Sequence, residues 1–390
     1  MVATFQTQIV SADALSDADA AAWRAIQSED AELASPLLGP DFTRAVGRVR
    51  SDARVAIVSR DGVPVAFFPH HRRPGGFGRP IGAPFADYHG VVSRADAGLV
   101  PGEIVGLADL KAFRHTGLID PHGVFEATDG ASDAFAITLT SDPDAYLEAA
   151  RAASPKKFKN WRRLSHRLAE MGPLTLAADT SQTAFDTVMR WKREQFERTG
   201  VQDVLRPHWA AGLMQSLFEA TEAGREHPMT GLLLTLRAGD TLVGGHFGIR
   251  VGAAYHPWIA SMSPDLAAFS PGQTFLDQAI RAMPGLGLEL YDLGVGHDHY
   301  KRPFAASQSQ VGIGFQSAAG RAGTLSRVSE RAWTIGPLGR SGAVDKVRRR
   351  LDHIATAHPS LGGRVGGLIQ AAAATRKRGL SVARDGGAGE

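Results

Sequence analysis

Between Tyr291 and Ala305 the chain reads YDLGVGHDHYKRPFA, which gathers acid, base and cation into one short stretch. The imidazole of His297 titrates near neutral pH, and the carboxylates of Asp292 and Asp298 can tune it or accept a proton themselves. Lys301 brings positive charge of the kind that steadies an oxyanion or a phosphate. Gly294 and Gly296 let the backbone turn or a ligand approach closely. These residue types suit proton transfer beside a developing negative charge, so Asp292, His297, Asp298 and Lys301 are the candidate catalytic residues. Each taken singly is also an ordinary loop or turn former. His297 and His299 stand two residues apart with no third ligand at a metal-binding spacing, so no metal is expected.

A second stretch complements the first. Ser270, Pro271 and Gly272 open a segment in which Phe275, Leu276, Ala279, Ile280 and Met283 recur at helical spacing. Serine suits the N-cap and proline the first helical position, while glycine there removes a side chain that would block a ligand. The free amides and the helix dipole of such a turn favour an anion. With Gln273 and Thr274 these residues form the candidate cofactor-binding turn. The run AAYHPWIASM before it and LGLELYDLG after it read as strands. Strand, helix and strand then enclose a cleft suited to a pyrophosphate, with a free strand edge along which an extended thiol-bearing arm can pair. Coenzyme A has this shape.

The positioning elements recur. Arg54 to Arg72 and Gly231 to Arg250 each read as a β-hairpin, turning at Asp61-Gly62 and at Ala238-Gly239-Asp240. Helical sequence precedes each: DAAAWRAIQSE and PDFTRAVGRV in the first half, and the segments around Trp191 and Trp209 in the second. Two copies of one α+β unit is the economical reading. The first copy's counterpart of the chemistry-bearing stretch is GRPIGAPFADYHG, where Asp87 and Tyr88 either face a groove between the halves or form a tight turn. His246, on the second hairpin, is either a core histidine or a substrate contact. Val311 to Phe315 alternates as a closing strand.

Between the halves, Ser154 to Met171 predicts a helix with Phe158, Trp161, Leu164, Leu168 and Met171 on one face. Lys156, Lys159, Arg163 and Arg167 fall on another, which is either a solvated face or a cationic wall for an anionic ligand.

A chain of 390 residues exceeds the usual single core, which predicts domains over 1–150 and 151–318 and a helical, basic extension over 319–390 with a disordered end. Its 43 Lys and Arg against 40 Asp and Glu give a formal charge of only +3, so no bulk nucleic-acid binding is expected. The absence of cysteine removes disulfides, thiolate metal sites and a thiol nucleophile. The N-terminus lacks the pattern of an export signal, and no apolar run approaches the roughly 20 residues that span a bilayer, so the expected location is cytoplasmic. The clusters KVRRRLDHI and TRKRGL in the extension are either solubilising surface or a site for an anionic regulatory nucleotide or a membrane surface. The second option carries with it peripheral association with the inner membrane.

The stretches KKFKNWRRLSHRLAEMG, FSPGQTFLDQAI and YDLGVGHDHYKRPFA resemble the acetyltransferase family of cellulose and exopolysaccharide synthesis, the CelD/BcsL-like branch of the GNAT superfamily. The run Asp292, Gly294, Gly296, Asp298, Tyr300, Lys301 is also similar to a segment of FemAB-type transferases, which carry two GNAT-like domains. The resemblance implies an α+β fold of two tandem GNAT-like (acyl-CoA N-acyltransferase) domains. It implies transfer of an acetyl or other acyl group from acyl-CoA to a sugar amine or hydroxyl in polysaccharide, holdfast-like or biofilm-matrix synthesis. An acceptor amine would attack the thioester directly, without an acyl-enzyme, with Asp298 or His297 accepting the proton and Lys301 and nearby amides steadying the oxyanion. Asp87, Tyr88, His246, Tyr300, Lys156, Lys159 and Arg163 would contact the saccharide or polysaccharide-precursor acceptor. The usual phosphate loop of the superfamily, Q/R-x-x-G-x-G/A, is absent, and Ser270-Pro271-Gly272-Gln273 is its nearest match. The alternatives are a FemAB-like transferase fed by aminoacyl-tRNA, and a non-catalytic regulatory or scaffold module with a nucleotide-sensing tail.

Overall fold

The computed structural model describes residues 5–126, 128–140, 142–222, 229–296, 301–305 and 307–332, and in the extension residues 351, 354–356, 358 and 362–369. In chain order the elements are β1 (Phe5–Ser11), α1 (Asp17–Ser28), α2 (Pro40–Val49), β2 (Ala53–Arg60), β3 (Val63–Arg73), β4 (Phe77–Pro80), β5 (Val92–Ser93), α3 (Glu103–Leu107) and β6 (Ala112–Leu118). There follow β7 (Gly130–Thr138), α4 (Pro143–Ala153), α5 (Pro155–Ala169), β8 (Leu174–Ala178), α6 (Gln182–Thr199), α7 (His208–Glu222), β9 (Thr230–Ala238), β10 (Thr241–Val251) and β11 (Ala254–Met262). The last are α8 (Pro271–Ala282), β12 (Leu290–Val295), β13 (Ser307–Ser317) and α9 (Arg321–Ala332).

These elements form two compact units that are discontinuous in sequence. Unit 1 takes the described residues of 1–131, 196–211 and 312–390, and unit 2 those of 132–195 and 212–311. The sequence reading drew continuous boundaries at 150 and 318. Hairpins and helices mark local repeats, but nothing in the local pattern shows that a segment returns to an earlier sheet.

Within unit 1, β1, β2, β3 and β4 pair antiparallel in turn, and β4 pairs parallel with β6. Within unit 2, β8, β9, β10 and β11 pair antiparallel in turn, and β11 pairs parallel with β12. Two helices follow the first strand in each, and one helix precedes the parallel strand, so the two units repeat one βααβββαβ plan. The strand β13 pairs with β6 in unit 1 through Gly312 to Ser317.

In unit 2 the sheet alternates its side chains between two helical layers, as strand geometry requires. Phe247 packs edge-on against Phe185 of α6, which stacks on Phe218 of α7. Its neighbour His246 points the other way and stacks on Phe275 of α8 at 4.0 Å. Helix α8 sinks Phe275, Leu276, Ala279 and Ile280 into the core, each large side chain contributing about 1.5–3 kcal/mol by leaving water. In unit 1 Trp23 of α1 stacks on Phe67 of β3 at 5.0 Å and donates its indole N–H to the Leu38 carbonyl. Arg73, at the end of β3, donates to the carbonyls of Ala355 and His358, which ties the described part of the extension to this unit.

Candidate active site

The parallel pairing of β11 with β12 lasts for only two residue pairs, Ala254 with Leu290 and Tyr255 with Tyr291. Three local features end it. Pro257 has no N–H to donate to a neighbouring strand. The register of β10 against β11 shifts between Phe247 and Gly248, and that of β12 against β7 shifts between Asp292 and Gly294. Bulges bend strands, so each flank of the parallel pair turns just past its last shared residues. Gly248 permits the first bulge, because a Cβ there would lie 2.0 Å from the His256 carbonyl oxygen. A wedge between β11 and β12 results.

At its root, one residue beyond the last pair, His256 Nδ1 faces Asp292 Oδ2 at 3.1 Å. The other oxygen of Asp292 accepts the Gly294 N–H at 2.8 Å, which fixes the carboxylate across the bulge. Both groups are largely buried, with side chains 1 % and 12 % exposed. A carboxylate beside Nδ1 favours the proton on that nitrogen and leaves Nε2 as the basic atom, an arrangement suited to general acid-base work. Lys301 is buried and donates to the Val295 carbonyl at 3.4 Å, where β12 ends. Lys192 of α6 donates to the Ala260 carbonyl of β11 at 3.2 Å.

The N-terminus of α8 follows β11. Ser270 adopts a left-handed conformation, φ 48° and ψ 54°, and its side chain makes no capping hydrogen bond. The sequence expectation of a serine cap therefore holds for position but not for the bond. An αL residue aims its side chain away from the first-turn amides, which stay uncapped by a side chain. Gly272 has no atom within 4 Å of where a Cβ would stand, so the space over that turn is open. Thr274 is 4 % exposed, and among the described residues its hydroxyl has no hydrogen-bond partner.

Asp292 and Lys301 thus sit on β12 and just past it, and the Ser270 to Thr274 turn opens α8, all in unit 2. His297, Asp298 and Tyr300 lie outside the described residues. Lys156, Lys159 and Arg163 are exposed on α5. His246 is in the core at 4 % exposure, 2.7 Å from the Tyr291 hydroxyl, and burial pushes its imidazole down to about 3, with Lys192 and Lys301 adding to the effect. Asp87 and Tyr88 belong to unit 1, where Tyr88 is buried and Asp87 half-buried. Sequence reasoning passed over His256, whose only local signal is its place just before the strand proline.

The equivalent wedge in unit 1 is laced shut. Past its two parallel pairs, Phe77 with Ala112 and Gly78 with Phe113, the chain returns so that the His89 N–H reaches the Gly117 carbonyl at 3.0 Å and the Ile119 N–H reaches the His89 carbonyl at 2.9 Å. Gly117 has φ 113° and room for no Cβ, which would stand 2.0 Å from the Asp87 carbonyl oxygen.

Residues 155–302 match the family model described as Acetyltransferase (GNAT) domain. The structure described as the crystal structure of FemX is similar over 83 % of this chain and 100 % of that one, with a TM-score of 0.50 at 10 % identity. The fold is the GNAT fold. The C-terminal domain of a putative lysylphosphatidylglycerol synthetase from Agrobacterium fabrum matches over 83 % of this chain and 99 % of that one, at TM-score 0.47 and 13 % identity. A tandem GNAT protein from the clavulanic acid biosynthesis pathway matches over 82 % and 100 %, at 0.42 and 11 %. No curated protein matches the chain. The repeat of the βααβββαβ plan makes it two GNAT-like folds in tandem, and the GNAT domain supports acyl transfer as the class of reaction. The narrower likeness to the exopolysaccharide branch has no counterpart among these matches. Among the described residues no helix is long and apolar enough to cross a membrane, and no group of three or more His, Cys, Asp or Glu side chains is arranged to hold a metal ion.

Proposed function

We propose that the chain is an acyl-CoA-dependent N-acyltransferase whose donor enters the unit 2 wedge and whose acceptor is an amine or hydroxyl of a saccharide. Two observations support this reading: the β11–β12 wedge, and a cavity in which Gln273 and Thr274 of α8 meet Phe304 a few residues past the end of β12. The residues present fit the donor: beyond Tyr255 no described strand pairs with the β12 side of β11, where an extended amide-bearing arm can add, Gly272 leaves room over the first turn, and among the described residues the Thr274 hydroxyl has no partner. Acetyl-CoA, when bound, supplies a thioester carbonyl activated for attack.

The chain's own residues supply the rest. The His256–Asp292 pair at the root of the wedge is the acid-base couple among the described residues, with Asp292 holding the tautomer of a ring that is itself buried. Lys301 places positive charge at the end of β12, where negative charge on oxygen is to be steadied. His297 and Asp298 remain candidates for the acceptor's proton from the sequence alone. The saccharide acceptor and its setting in surface polysaccharide synthesis rest on the resemblance of the three quoted stretches.

Isothermal titration with acetyl-CoA tests the donor: saturable heat supports it. No heat with acetyl-CoA, together with salt-sensitive binding of an aminoacyl-tRNA, replaces it with the FemAB-like reading.

A further inference from the structure

Helices α4 and α5 lie outside the repeated βααβββαβ plan, yet α5 crosses the start of α8. Its Phe158, Leu164 and Leu168 are buried, and the Arg167 guanidinium stacks 5.3 Å over Phe269, just before α8. Between α5, the first turns of α8 and Phe304 lies a cavity of about 150 Å³. Phe158, Trp161 and Phe304 form its apolar part, the last two stacked at 5.3 Å with 10° between their planes. Phe304 is held in turn: its N–H bonds the Lys301 carbonyl at 2.9 Å, and its own carbonyl accepts the Tyr146 hydroxyl. The cavity is therefore connected to the wedge by the short turn from Lys301 to Phe304.

The charges around it do not balance. Arg151 is matched by Asp277 at 3.3 Å, and Asp277 is also held by Arg281 at 3.0 Å. Arg162 and His166, one helical turn apart on α5, have no carboxylate partner among the described residues and line the same cavity. The third feature is Thr274, nine-tenths buried, lining the cavity, its hydroxyl without a partner among the described residues. A guanidinium, an imidazole and an idle hydroxyl face one cavity whose lining carboxylate, Asp277, is already held by Arg151 and Arg281.

We propose that this cavity is a phosphate subsite in which side chains of α5, chiefly Arg162 with His166, grip a phosphate group of the acyl carrier together with Thr274 at the start of α8. The inference rests on the acyl-CoA reading and deepens it. The α5 guanidinium does by side chain what the missing glycine-rich phosphate loop does by backbone, which gives a physical reason why Ser270-Pro271-Gly272-Gln273 suffices. A guanidinium suits a phosphate because its fork of N–H donors matches two oxygens at once.

The variants R162Q and T274V are compared with the unaltered full chain using acetyl-CoA and acetyl-pantetheine, a donor without phosphate. R162Q is expected to raise KM for acetyl-CoA by about ten-fold, the loss of one charge-assisted hydrogen bond, with kcat held, and to change KM for acetyl-pantetheine less than two-fold. Equal effects on both donors, or none on either, overturn the proposal. Titration with adenosine 3′,5′-bisphosphate separates this idea from the reaction. Binding that R162Q weakens supports the subsite even if no acetyl donor turns over, and absence of binding to the unaltered chain, or binding indifferent to R162Q and T274V, sinks it.

Discussion

Asp292 makes two commitments at once, one oxygen to the Gly294 amide and the other to His256. Replacing it with asparagine keeps the shape but removes the charge that fixes the imidazole tautomer. D292N is expected to lower kcat by about 10²-fold or more while leaving the far-ultraviolet circular dichroism unchanged, as steady-state acyl-transfer assays would show. Unaltered turnover would remove the pair from the chemistry. Other histidines report on stability. Burial pushes His246 down to about 3 and His70 and His115 down to about 4. Unfolded, each titrates near 6.5, so between that value and the folded one the unfolded chain binds protons that the native chain refuses. Their contribution is fully present above about pH 6.5 and is lost as the pH falls through the window toward 4, with a slope of up to ~1.4 kcal/mol per pH unit for each ring. Urea unfolding at pH 7 and pH 5 checks this: the midpoint is expected to drop clearly at the lower pH, and a flat profile would mean that water reaches these rings.

The wedge is made by elements, and its shape is set by a few backbone choices. G248A would put a Cβ against the His256 carbonyl at 2.0 Å, a backbone atom with little freedom to yield. The expected cost is roughly 1–3 kcal/mol in urea unfolding, and donor affinity should fall as well because β11 is displaced at the root of the wedge. Retained affinity with lowered stability would separate the bulge from the site. Much at this scale was legible in the sequence. Turn chemistry at Asp61-Gly62 and Ala238-Gly239-Asp240 marked both hairpins, apolar spacing marked α5 and α8, the run AAYHPWIASM marked β11, and a Gly-bounded apolar run marked β12. Less visible was which face of α5 meets the cavity. Arg162 and Arg163 are adjacent in the chain, and only the crossing of α5 over α8 decides that the first lines it and the second faces outward. His256 was hidden for a similar reason, since its partner Asp292 is 36 positions away along a strand joined to β11 by only two residue pairs.

Taken whole, the molecule holds two copies of one plan with different fates. The second copy keeps its parallel strands apart beyond Tyr255 and Tyr291, whereas the first stitches His89 to Gly117 and Ile119. Calorimetry is therefore expected to find one acetyl-CoA per chain, and two sites would show that the stitched segment opens. The discontinuity of unit 1 has a consequence for biosynthesis. Strand β6 gains its β13 neighbour only from Gly312 to Ser317, so unit 1 starts to be made before unit 2 and is completed only after it. A nascent chain halted before Gly312 would carry an unsatisfied β6 flank throughout translation of the whole intervening unit, and it is there that a holding chaperone would have the most to protect.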